Sequence, residues 1–266
     1  MKTATIGIAA LLLAAPLAHA ADMAVKAKAP PPAPFDWSGF YIGAYAGAAE
    51  MDQAYTTDPC APGFGACIIG VTGNYNGLPP TFYDMDPSFV GGGTAGFNWQ
   101  VNPYLVLGLE NQIGYLHLKG SAIANPPPVG IGDTIMSTTV GDWYDAYTAR
   151  IGATDGHLMF YAKGGGVTTR IKSAVIDTVG PTTLNTTTTK TITGWAAGAG
   201  LEYAIDMHWS VKAEYLFLGL PPNMTNCGPQ FIALPGVPVI GPLATCSVTH
   251  TPGVQTITLG LNYRFR

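Results

Sequence analysis

Eight segments of this chain alternate, residue by residue, between apolar side chains and polar or small ones. Beyond the first twenty residues there is no unbroken apolar run of about 18 residues, the length that spans a membrane as a helix. A period of two belongs to a β-strand with two unlike faces. The last segment is the clearest: Ile257, Leu259, Leu261, Tyr263 and Phe265 alternate with Thr258, Gly260, Asn262 and Arg264. Before it, Trp209, Val211, Ala213, Tyr215 and Phe217 alternate with Ser210, Lys212, Glu214 and Leu216. Likewise Trp195, Ala197, Ala199, Leu201 and Tyr203 alternate with Ala196, Gly198, Gly200 and Glu202.

Five more strands are predicted over 157–171, 143–155, 104–118, 88–101 and 38–51. Phe160 and Ala162 oppose Tyr161 and Lys163; Ala149 and Ile151 oppose Thr148 and Arg150. Leu107 and Leu109 oppose Gly108 and Glu110; Phe97 and Trp99 oppose Gly96 and Asn98. In the first strand, Phe40, Ile42, Ala44 and Ala46 form one row and Tyr41 and Tyr45 stand in the other. Between strands, Asn102-Pro103, Asp155-Gly156 and Asp206-Met207-His208 read as tight turns. The other connections, 52–87, 119–142, 172–191 and 219–254, are long. Long and short alternate throughout, as in membrane barrels with short periplasmic turns and long external loops. The expected fold is all-β: an eight-stranded antiparallel up-and-down transmembrane β-barrel.

Composition decides which face meets lipid. Only 11% of residues are charged while 47% are hydrophobic, against about 25% charged in an ordinary soluble domain. The apolar rows carry almost no charge. Lipid-facing Lys or Arg at mid-depth costs about 2–4 kcal/mol, so the strand charges are expected inside. They are Glu110, Arg150, Lys163, Glu202, Lys212, Glu214 and Arg264, three acids and four bases. In so narrow a barrel they are expected to pair with one another and fill the lumen. Trp37, Trp99, Tyr104, Trp143, Trp195, Trp209, Tyr263 and Phe265 sit near strand ends and read as two aromatic girdles. The net charge of −4 and the absence of a Lys/Arg cluster give no case for nucleic acid.

The N-terminus has the marks of export. Lys2 precedes a short apolar stretch, Ile6 to Ala15, and Ala18-His19-Ala20 forms a cleavage site. Residues 1–20 are therefore expected to be a signal peptide and 21–36, with Pro30, Pro31, Pro32 and Pro34, a periplasmic linker. The barrel is expected over 37–266. Four cysteines fall as two local pairs, Cys60 with Cys67 and Cys227 with Cys246. In an oxidising compartment each pair is expected to close one loop as a disulfide. No Cys-x-x-Cys occurs, and the histidines supply no zinc ligand set.

Trp-Ser-Gly-Phe-Tyr-Ile-Gly at 37–43, behind a Pro/Ala/Lys-rich stretch, resembles the start of the small porin-like surface antigens of alphaproteobacteria. Leu-Gly-Leu-Asn-Tyr-Arg-Phe at 259–265 resembles their end, and Gly-Leu-Glu-Tyr at 200–203 is similar to an interior stretch. The resemblance implies an OmpA-like eight-stranded barrel in the cell outer membrane. It also implies insertion by the barrel-assembly machinery, which reads a terminal aromatic residue. Here Arg266 follows Phe265, so that residue lies one position from the end.

Catalysis finds little support. A lipid A deacylase needs a serine beside a histidine base facing lipid, and no His-x-Ser stands on any predicted strand. An omptin-like protease needs acids near a histidine at the outer rim. Asp84, Asp86, Asp142 and Asp145 with His250 supply the residue types, but the barrel is two strands too small. No catalytic, cofactor or metal site is expected. The expected role is structural or surface-interacting, with a passive diffusion pore as the alternative and an outer-membrane hydrolase behind both. Outer-membrane lipid, lipopolysaccharide and an extracellular ligand of the long loops are the expected partners.

Overall fold

The structure, a computed structural model, describes residues 35–57, 81–123, 134–179, 182–221, 224–232 and 240–265. The strands are β1 (Gly39–Met51), β2 (Ala54–Thr57), β3 (Thr81–Tyr83), β4 (Met85–Asp86), β5 (Ser88–Asn102), β6 (Leu105–Ile123) and β7 (Thr134–Asp155). They continue with β8 (Leu158–Val179), β9 (Thr182–Ala204), β10 (Trp209–Gly219), β11 (Met224–Ile232), β12 (Ile240–His250) and β13 (Val254–Arg264). Eight of them close a ring, β1-β5-β6-β7-β8-β9-β10-β13 and back to β1. Every neighbouring pair is antiparallel. Closure leaves no unpaired ladder edge along the lower part of the ring, a requirement for backbone surrounded by hydrocarbon. The predicted signal peptide, the linker as far as residue 34, and Cys60 and Cys67 lie outside the described residues.

The three short connections are held by their own residues. Asn102 Oδ1 accepts the Tyr104 N–H at 2.9 Å, and Gly156 takes φ +65°, which suits glycine. Asp206 Oδ1 accepts the His208 and Trp209 N–H groups at 2.7 and 2.8 Å. Those backbone bonds hold its carboxyl below the usual carboxylate range.

At the other end the loop expectation needs correction. Much of 119–142 and 172–191 is strand, because β6 runs on to Ile123, β7 starts at Thr134, β8 reaches Val179 and β9 starts at Thr182. Threonine and β-branched residues suit a pleated surface, and each extension has a partner strand along its length. The expected loops 52–87 and 219–254 also carry strands. They hold β4, which extends the ring at β6, and a separate four-stranded sheet in the order β11-β12-β2-β3.

The wall reverses its polarity partway up. Along β6, Leu107 and Leu109 face outward while Glu110 and Gln112 face in; farther on, Leu116 and Leu118 face in while His117 and Lys119 face out. On β8, Phe160 and Ala162 point out and Lys163 in, then Val167, Ile171 and Val175 point in while Arg170 and Lys172 point out. The lower wall thus has an apolar outside and the upper wall an apolar inside. The upper interior is a hydrophobic core that includes Met51, Val90, Leu116, Met136, Val140, Ile171 and Leu218. A change of outer solvent from lipid to water produces this reversal: apolar side chains turn to hydrocarbon where it is present and to each other where it is not. The charged residues of the expected polar lumen occupy its lower half; the upper half is mostly apolar, with buried hydroxyls of Thr56, Tyr83, Thr138, Ser173 and Thr249 bonded among themselves.

Two further corrections concern the N-terminus. Phe35, assigned to the linker, is buried and packs edge-on against Trp37 at 5.0 Å. Trp37, assigned to a girdle, is fully buried. Its indole Nε1 donates to Thr154 Oγ1 at 2.8 Å and Gly156 O at 2.9 Å, and its ring lies 4.7 Å from the Arg264 guanidinium carbon. Inside the turn end, the indole N–H finds acceptors that a lipid-facing position lacks.

Candidate functional site

The lower lumen holds all seven strand charges, each no more than 5% exposed. They come from six strands: Glu110 from β6, Arg150 from β7, Lys163 from β8, Glu202 from β9, Lys212 and Glu214 from β10, and Arg264 from β13. Glu110 is the hub. Lys163 Nζ lies 2.8 Å from its Oε1, Lys212 Nζ 3.3 Å and Arg150 3.6 Å from its Oε2. Glu214 takes Lys163 at 2.7 Å and stands 3.7 Å from Lys212. Glu202 takes Arg150 at 3.2 Å and lies 3.9 Å from Arg264.

Neutral groups complete the network. Tyr41 Oη donates to Glu110 and Tyr161 Oη to Glu214, both at 2.7 Å. Lys163 also donates to Gln112 Oε1 at 2.9 Å, and Arg150 Nε to Asn98 Oδ1 at 2.8 Å. Ser210 and Asn262 donate to Glu202. The Arg150 guanidinium carbon sits 4.8 Å from the Tyr41 ring centre and 5.1 Å from that of Tyr161. Burying charge is costly unless each ion has several partners, and here the acids are shared among bases.

Two glycines make room for the tyrosines. A Cβ at Gly200 would lie 2.5 Å from Tyr161 Oη, and one at Gly96 would collide with the Tyr41 hydroxyl. Above this layer Tyr45 and Tyr144 join hydroxyls at 2.7 Å. The supporting residues Tyr41, Tyr161, Asn98, Gln112, Ser210 and Asn262 carry no charge. Their signal in sequence was their place in the polar rows.

Trp99, Tyr104, Trp195, Trp209 and Phe265 are exposed on the outer surface. Trp209, Tyr263 and Phe265 form a chain of rings with centres 5.0 and 5.2 Å apart at the turn end. Trp143 and Trp195 stand toward the other end, Trp143 within a bulge of β7 where the register to β8 shifts. Cys227 and Cys246 are directly opposite in the β11–β12 ladder.

The acids and histidine weighed for a protease are dispersed. Asp142 pairs with His117 at 2.9 Å, Asp84 accepts from Gln53 at 3.1 Å, and Asp145 accepts from Asn111. The His250 ring stacks on Tyr55 at 4.4 Å, and burial lowers its pKa. Among the described residues no aspartate lies within ion-pair distance of His250.

The chain matches a known family and known relatives. The model of the outer membrane protein beta-barrel domain family matches residues 7–265. The 31 kDa outer-membrane immunogenic protein of Brucella melitensis is 30% identical over 260 residues, 93% of each chain; that of Brucella suis matches to the same extent. Among solved structures, OprG of Pseudomonas aeruginosa gives a TM-score of 0.43 at 11% identity, covering 86% of this chain and 97% of its own. Ail of Yersinia pestis gives 0.36 at 13% identity, covering 86% and 99%. With a closed ring of eight strands, an apolar lower exterior and a relative matched almost end to end, this chain belongs to the outer membrane protein beta-barrel family, with the Brucella outer-membrane immunogenic proteins as relatives.

Proposed function

We propose that this outer-membrane barrel is a sealed, non-enzymatic surface protein: its lower half anchors it in lipid and its upper half presents strands and loops to the surroundings. The observation that carries this reading is the ion network. Glu110, Lys163, Lys212 and Glu214 have no exposed side-chain surface, and each of the two acids lies within 3.7 Å of both lysines across the lumen. An eight-stranded barrel is only wide enough for side chains to fill it. The buried Phe35–Trp37 pair beside Arg264 adds a second obstruction at the turn end.

The test is single-channel recording in planar bilayers. The sealed reading expects no steady conductance from the native barrel. A stable open level in most insertions would replace it with the diffusion-pore reading.

Export fits a cleaved signal peptide ending at Ala20, and insertion fits recognition by the barrel-assembly machinery of the last strand, which Phe265 follows. A Cys227–Cys246 disulfide suits directly opposed strand positions, whose Cα atoms stand about 4.5–5.5 Å apart. Cys60–Cys67 rests on spacing and compartment alone. Mass mapping of non-reduced peptides tests both pairings.

A further inference from the structure

The eight described lysines and arginines divide evenly. Arg150, Lys163, Lys212 and Arg264 are in the lumen, and Lys119, Arg170, Lys172 and Lys190 are exposed on the upper wall of β6, β8 and β9. In a chain of net charge −4, every described cation outside the lumen therefore falls on one side of the barrel. Three of the four share the outer face. Lys119 is Thr139's partner across β6–β7, and Thr139 is Lys172's partner across β7–β8, so the two lysines flank one threonine. Their Cα atoms are about 10 Å apart, at roughly 5 Å per strand. Arg170 lies two residues from Lys172 on the same face, about 7 Å away. Thr189 and Thr191 stand opposite Lys172 and Arg170 on β9. Lys190 belongs to the alternate row, with Ile192, on the inner side.

The height of this triad matters. On β6, Lys119 comes four residues after Tyr115, the last outward aromatic before polarity reverses. On β8, Arg170 and Lys172 come two and four residues after Thr168, just past the same reversal. A tilted membrane strand climbs about 2.5 Å per residue, which puts these cations about 5–10 Å above the hydrocarbon edge. The headgroup layer occupies roughly 5–8 Å on each side of a bilayer. Of the acids nearby, Asp86 is opposite Lys119 in register, but no carboxylate among the described residues lies within 4 Å of any of the three cations. Asp142 is engaged with His117 and Asp145 with Asn111.

We infer that Lys119, Arg170 and Lys172, with the Thr139 hydroxyl between them, form a binding site for the phosphorylated saccharide headgroup of the outer-leaflet lipid. Each cation is on the outer face, at or just above headgroup height, and no carboxylate among the described residues lies within 4 Å of it. Two lysines and an arginine spaced about 7–10 Å apart suit a headgroup bearing two separated phosphates. The inference rests on the barrel standing in the outer membrane.

The experiment uses the full mature chain, folded in phosphatidylcholine nanodiscs and titrated with diphosphoryl lipid A. Each charge near an anionic surface is worth about a fivefold change in affinity, so K119Q/R170Q/K172Q is expected to bind about a hundredfold more weakly. The charge-retaining K119R/R170K/K172R is expected to stay within a fewfold of native. K190Q, the same charge change on the other face, is expected to leave binding unchanged. Lipid A stripped of phosphate should bind the native barrel and the glutamine triple equally weakly. Inorganic phosphate at millimolar concentration should not displace the lipid. Equal affinity of native and glutamine triple overturns the site. A loss with K190Q as large as with the triple would reduce it to bulk charge, and displacement by inorganic phosphate would make it a site for free anion. The gel shift on boiling reports folding separately, and a native chain without that shift fails the barrel reading instead. If the triple misfolds, K119Q and K172Q singly, each expected at about a fivefold loss, carry the same test.

Discussion

Replacing Glu110 by glutamine removes the carboxylate that three buried cations share. Lys163, Lys212 and Arg150 stand 2.8, 3.3 and 3.6 Å from its oxygens. At an effective dielectric of about 20 each attraction is on the order of 5 kcal/mol before the cost of desolvating the ions. Most of that is offset, and removing one partner of a buried pair leaves a measured cost of about 3–5 kcal/mol. The lower end applies here, because Lys163 keeps Glu214 at 2.7 Å and Arg150 keeps Glu202 at 3.2 Å. Lys212 is worst placed, with Glu214 at 3.7 Å. We therefore expect E110Q to lose about 3 kcal/mol in reversible urea unfolding from lipid vesicles, with an unchanged denaturant slope. Adding Lys212→Met should recover part of the loss, a coupling of about 1–3 kcal/mol. Asp142→Asn, which breaks the exposed His117 pair, should cost under about 0.5 kcal/mol. A loss for E110Q no larger than that of D142N, or no recovery on adding K212M, would refute the claim that the lumen ions stabilise one another.

Other expectations follow from particular contacts. Leu259→Arg, at a lipid-facing position 70% exposed, should cost about 2–4 kcal/mol in bilayers of ordinary thickness, measured by the same urea titration. Gly200→Ala should push the Tyr161 hydroxyl off Glu214 and lower stability by about 1–3 kcal/mol, with Tyr161→Phe in the same background restoring part of it. Trp37→Phe deletes an indole N–H with two acceptors and should cost about 1–2 kcal/mol, while exposing the turn end of the lumen to a soluble thiol probe at Thr154→Cys. Asp206 has a folded pKa below its unfolded value, so its contribution is fully present above the unfolded pKa near 4 and fades as pH falls through the folded one. Asp206→Asn should therefore differ from native in urea midpoint at pH 6 and converge on it in strong acid.

Local pattern settled which residues form the membrane wall and which row faces lipid. A strand's two faces are written in its own sequence, and a lone charge in hydrocarbon is penalised whatever surrounds it. Leu259 and Leu261 against Arg264, or Leu109 against Glu110, needed no knowledge of a neighbouring strand. The rest depended on closure of the ring. Glu110 meets Lys163, 53 residues away, and Lys212, 102 residues away, because the stagger of the strands sets which inward positions share a level. Nothing local encodes that stagger. Trp37 carries the same sequence mark as Trp99, yet its position at the mouth of the barrel put it inside. The upper strands were hidden for a related reason. Their apolar rows face a core made by distant segments, and their Thr-rich outer rows look like loop until a partner strand lies alongside. Period two is a property of each chain segment; the pairing of ions, the burial of Trp37 and the alignment of Lys119 with Lys172 are properties of the closed cylinder.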